Sequence, residues 1–158
     1  MANTQAMCTS FLGELMTATH NFGTAPTRAS TTADTFKAAL YLTTATVNAS
    51  TTAYSATNEV SGTGYTAGGV AVTNATAPTA TNSSSTAGTA YWTPSASITY
   101  TTVTLTTAFD TVLIYNSTQS NKAVSVHTFG SQTITAGTFT LTMPSNTTST
   151  ALLRLATT

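Results

Sequence analysis

Charge is what this sequence has least of. Lys and Arg number four and Asp and Glu four, together 5% of 158 residues, against roughly 25% in an average soluble domain. A nucleic-acid binder needs clustered Lys and Arg to displace counterions, whereas Arg28, Lys37, Lys122 and Arg154 are scattered along the chain. Nor can so few charges steer an ionic substrate. Disorder usually combines low hydrophobicity with high net charge. A chain that is 41% apolar with no net charge is therefore expected to fold. Cysteine is as scarce: Cys8 stands alone, so no intramolecular disulfide can staple the fold, and it reads as a small apolar residue. The longest strongly apolar run, Val112-Leu113-Ile114-Tyr115, is too short to cross a bilayer. No Lys or Arg precedes Arg28 and the opening residues hold no apolar stretch, so no signal peptide is expected. The Asn-x-Ser/Thr sequons at Asn48, Asn74, Asn82, Asn116 and Asn146 then follow from composition alone.

The means of catalysis are also few. Asp110, His127 and a serine could form a triad on paper, but there is no Gly-x-Ser-x-Gly elbow, and His127 reads as a sheet-face residue. His20 is expected at the carbonyl end of a helix. Two histidines and one cysteine, far apart, match no metal spacing. Gly62-Thr63-Gly64 lacks the further glycine, the helix and the lysine of a phosphate loop. Asp34 and Lys37 read as a local ion pair. The sequence thus predicts no enzyme, no catalytic residues, no cofactor and no metal.

What fills the space is threonine, about a quarter of the chain. β-Branched Thr favours strands and can finish the outer face of a sheet without charge. One helix is predicted, from Thr9 or Ser10 through Phe11, Leu12, Leu15 and Met16, with Gly23 ending it. Residues 24–33 read as a linker, and Phe36, Ala38, Leu40 and Leu42 alternate as a strand. Residues 44–57 read as loop, Glu59 to Gly69 as a stretch that turns sharply or takes positive φ, Val70 and Val72 as a short strand, and residues 74–90 as a long loop. Ile98, Tyr100, Val103 and Leu105 form a strand whose alternation slips between Tyr100 and Val103, the mark of a bulge. Phe109 to Tyr115 reads as a central strand, Val124 and Val126 as the next, Ala136-Gly137 as a hairpin turn, and Leu152, Leu153 and Leu155 as a last strand. The expected architecture is mainly β: an antiparallel β-sandwich, jelly-roll-like, of about eight strands in residues 24–158, after an N-terminal arm or helix in residues 1–23. Tyr91-Trp92, with Tyr65 and Tyr100, could form a sugar platform; alternatively Trp92 anchors the core or fills a subunit interface.

The opening Met1 to Phe11, the stretch Ala33 to Tyr41, Glu59 to Val70, and Trp92-Thr93-Pro94-Ser95 through Met143-Pro144 resemble small virion structural proteins of tailed bacteriophages. The resemblance implies a cement or decoration protein, assembled in the bacterial cytoplasm, on the capsid exterior. Its partners would be the major capsid protein and copies of itself as a homotrimer, with no nucleic acid and no membrane. The alternative implied is a tail, neck or fibre component that grips a host glycan. On either reading Phe11, Leu12, Leu15, Met16, Tyr65, Tyr91 and Trp92 are the expected partner contacts.

Overall fold

Alternation in the Thr-rich C-terminal half becomes one long antiparallel pair. In the computed structural model, which describes residues 3–16, 18–22, 33–73, 77–81 and 88–156, the elements run β1 (Ala6–Met7), α1 (Thr9–Met16), β2 (Phe36–Leu42), β3 (Val70–Ala71), β4 (Thr79–Thr81), β5 (Thr89–Trp92), β6 (Ile98–Asn116), β7 (Lys122–Leu141) and β8 (Leu153–Ala156). The protein is mainly β, with two antiparallel sheets. One has five strands in the order β1-β7-β6-β2-β3, and the other has three in the order β4-β5-β8.

Several expectations are corrected here. Phe109–Tyr115 is central, but it belongs to the same 19-residue strand as Ile98–Leu105. Ala136-Gly137 is not a hairpin turn, because β7 runs through it for 20 residues. It is a bulge with Ala136 at φ 46. The slip expected between Tyr100 and Val103 is present, with Thr102 at φ 54. Within residues 74–90, Thr79–Thr81 pairs with Thr89–Tyr91, so part of the expected loop is strand. The helix ends at Met16 instead of running toward Gly23: Ala18 adopts φ 52, and the N–H groups of Ala18 and Thr19 close back onto Leu15 and Glu14. Gly23 and most of the linker, residues 24–32, lie outside the described residues.

Between Ile98 and Val112 the extra residues in β6 and β7 answer one another, while one more in β7, at Val124, has no counterpart. An extra residue in β6 before Val103 is matched by one in β7 before Gly137. Two more in β6 before Phe109 are matched by two in β7 after Thr128. Ile98–Leu141 and Val112–His127 are therefore in the same register, although the strands are bent between them.

Register sorts β2 and β6 into two buried faces. Phe36, Ala38 and Leu40 share one with Asn116, Ile114 and Val112. Lys37, Ala39 and Tyr41 share the other with Tyr115, Leu113 and Thr111. Aromatic packing covers both. Phe22 stacks on Phe36 at 4.5 Å and meets Trp92 edge-on at 4.8 Å, while Phe11 meets Phe22 at 5.8 Å. On the opposite face Tyr54 stacks on Tyr115 at 4.8 Å and Tyr65 on Tyr100 at 5.9 Å. The N-terminal segment is built into this core. β1 extends the large sheet at Val126 and Ser125, Cys8 and Phe11 are buried, and Asn3 donates to the Asp110 carboxylate at 2.8 Å.

Candidate functional site

Four of the expected partner contacts converge. Phe11 and Leu15 from α1 and Tyr91 and Trp92 from β5 line a single cleft of about 90 Å³, together with Met7, Phe22, Pro78, Ala90, Leu153 and Leu155. Every lining side chain but Tyr91 and Trp92 is wholly apolar. α1 brings Phe11 and Leu15 to one side because they are four residues apart, one turn of helix. β8 brings Leu153 and Leu155 because they are two apart on one strand face. Leu155, at 40% exposure, is the exposed large hydrophobic residue among those described.

The remaining contacts fall elsewhere. The side chains of Leu12 and Met16 lie outside the described residues. Tyr65 is on the opposite face of the large sheet, where its hydroxyl donates to Glu59 Oε1 at 2.7 Å and accepts from the N–H of Leu40 at 3.0 Å. The aromatic platform does not form. Trp92 and Tyr100 are each 2% exposed, so neither ring can face a sugar, and Trp92 anchors the core. Sequence reading left out Leu155 as a contact; the alternation Leu153, Leu155 was the signal that could have found it.

Two buried polar networks hold the walls of the molecule. Near the cleft, Glu14 accepts from Lys122 Nζ at 2.6 Å and bonds His20 Nε2 at 2.7 Å. Asn116 donates to Asp34 at 2.8 Å and bonds His20 Nδ1 at 3.0 Å. Asp34 also accepts from the N–H of Asn21 at 2.8 Å and from Gln119 at 3.2 Å, so it is a buried hub and not one half of an exposed pair. His20, expected at helix carbonyls, belongs to this hub. Burial lowers its proton affinity, against the pull of Glu14. Burial also works against the charge on Glu14, yet the hydrogen bonds from Lys122 and His20 prevail and hold its carboxyl below the usual value.

On the other face Glu59 accepts from the hydroxyls of Tyr54 and Tyr65 and from the N–H of Gly68 at 2.8 Å, tying the loop of residues 54–69 to the sheet. Burial, with the Glu59 bond, raises the phenols of Tyr54 and Tyr65. Burial also pushes Tyr41 up to about 12.

The groups considered for chemistry are poorly placed for it. His127 lies 2.9 Å from Ser125 Oγ, but desolvation pushes its pKa down to about 4, too weak a base near neutrality, and Ser125 is buried. Asp110 accepts from Asn3 and Thr111. Burial pushes the Cys8 thiol up to about 11, which keeps it protonated and unreactive. Among the described residues no group of three His, Cys, Asp or Glu side chains could hold a metal ion, and no helix is long and apolar enough to cross a membrane. What the cleft can do is receive an apolar side chain. Comparison of the chain with protein-family models, with curated proteins and with solved structures finds no match.

Proposed function

We propose that this protein is a non-enzymatic structural component of a tailed-phage virion, a cement protein that binds the major capsid protein from outside and braces the shell. The two antiparallel sheets are read as the halves of a jelly-roll-like sandwich, with α1 closing one side of the gap between them. The observation that carries the reading is the apolar cleft of Phe11, Leu15, Tyr91, Trp92 and Leu155. A pocket sized for one inserted side chain and lined by apolar groups supports attachment through a buried anchor. Thr-rich faces support the same use, since they meet protein without stripping water from ions. Many such contacts around a shell add stability by mass action.

Capsids assembled with and without the protein test it. Those lacking it should lose integrity at lower temperature or osmotic shock, and purified protein should restore them at hundreds of copies per particle. Equal resistance, or a handful of copies confined to the tail, would overturn the reading.

A further inference from the structure

Among the described residues the outer edge of β7 is open beyond His127. β1 covers it at Ser125 and Val126, and residues 52–54 cover it around Lys122 and Ala123; beyond His127 no described strand pairs with it. An open edge is a template for another strand, and proteins usually blunt it with Lys, Pro or bulges. Here the residues between Lys122 and Arg154 contain no Asp, Glu, Lys or Arg, and β7 contains no proline. Bulges interrupt the edge at Phe129–Ser131 and at Thr135–Ala136, and Gly137–Leu141 remains as a regular stretch, paired on its inner side with Ile98, Thr99 and Tyr100.

The direction of its free groups follows from alternation. The N–H of Met143 points inward, to Ser97 Oγ at 3.4 Å. Leu141 and Phe139 share that orientation, so the N–H and C=O of Thr138 and Thr140 point outward. We infer that Gly137–Leu141 is a self-association edge, and that its occupant is the same stretch of a second copy, antiparallel about a two-fold axis at Phe139. The stretch is its own complement. That axis sets Thr138 opposite Thr140 of the other copy, a favourable cross-strand pair, and aligns outward N–H with outward C=O. No charge on the edge selects a partner of opposite sign. Phe139, half-buried among Tyr100, Phe109 and Phe129 at 5.1–6.1 Å, would gain cover from its counterpart.

This pairing is a property of the chain alone and stands apart from the capsid reading; it yields a dimer, where the resemblance implies a trimer. Sedimentation equilibrium of the full chain up to millimolar concentration tests it. The wild type should approach twice 16.1 kDa. Thr138→Lys with Thr140→Lys places like charges across the axis and should give monomer with an unchanged circular-dichroism spectrum. Thr138→Lys with Thr140→Glu sets opposite charges across the same axis and should restore the dimer. A wild-type monomer at millimolar concentration, a trimer indifferent to the double-lysine variant, or no recovery with the Lys/Glu variant would overturn the inference. Loss of capsid binding with the dimer intact would instead count against the proposed function only.

Discussion

Asn116 gives one amide hydrogen to Asp34 Oδ2 and the other to His20 Nδ1, so the imidazole carries its proton on Nε2, where Glu14 accepts it. The orientation of the amide is set by its own oxygen, which accepts from the N–H groups of Thr118 and Gln119, both at 3.1 Å. A second proton on His20 would face an N–H. One residue at the end of β6 thereby fixes the tautomer of a histidine from the N-terminal segment.

Asn116→Ala should cost about 2–4 kcal/mol, because it leaves a carboxylate oxygen and an imidazole nitrogen in the interior without that partner. Urea unfolding monitored by tryptophan fluorescence measures the loss. A midpoint within error of wild type would show that the hub is not structural.

Stability should depend on pH at both ends. An unfolded histidine titrates near 6.5, while His127 in the fold is pushed down to about 4 and His20 is also lowered, in both cases chiefly by burial. Between these values the unfolded chain binds more protons, so stability is full above about 6.5 and falls on acidification toward 4. Tyr41, Tyr54, Tyr65, Tyr100 and Tyr115 are all raised, chiefly by burial. The folded chain then holds protons that the unfolded chain releases above about pH 10, so stability falls again there. Urea midpoints should be highest between about pH 7 and 9. His127→Gln should flatten the acid limb.

Two glycines should respond oppositely to alanine. Gly69 sits at φ +70, and a Cβ there would lie 1.7 Å from the carbonyl oxygen of Ala38. Gly69→Ala should cost about 3 kcal/mol or more by forcing the β2–β3 contact apart. A Cβ at Gly130 meets nothing within 4 Å. Gly130→Ala should gain about 0.4–1 kcal/mol by restricting the unfolded chain. Thermal melts of the two variants decide the matter by sign.

Trp92→Ala should destabilise by about 3–5 kcal/mol, since the ring is buried against Phe22 and Phe36. It therefore cannot report cleanly on attachment. Leu155→Ser should change stability by no more than about 0.5 kcal/mol and yet reduce co-sedimentation with capsids. If Leu155→Ser protein pellets as the wild type does, the cleft is not the contact.

The legible parts of the fold were those where side-chain size alternates. Ile98, Tyr100, Val103 and Leu105 show both their strand and its defect, because the apolar residues themselves change step. Thr79–Thr81 could not be read, since Thr-Ala-Thr has no apolar face and is a strand only because Thr89–Tyr91 pairs with it. Ala136-Gly137 looked like a turn because small residues serve turns and bulges alike. At the site, Phe11, Leu15, Tyr91 and Trp92 were legible as apolar groups needing a surface. Tyr65 was the same signal with another destination, because a tyrosine's size predicts burial and not which hydrogen-bond acceptor awaits its hydroxyl.

The matched extra residues of β6 and β7 constrain how this hairpin can change length. Deleting Thr102 alone would remove the β6 bulge and leave Tyr100 two residues from Val103, so Ile98 and Tyr100 would keep both their facing and their partners Leu141 and Phe139. Deleting Thr102 and Ala136 together would remove both left-handed positions and leave every apolar residue facing as before. A single lost residue is thus absorbed at either bulge, whereas one lost from a regularly paired stretch such as Ile98–Tyr100 would turn the residues beyond it to the other face.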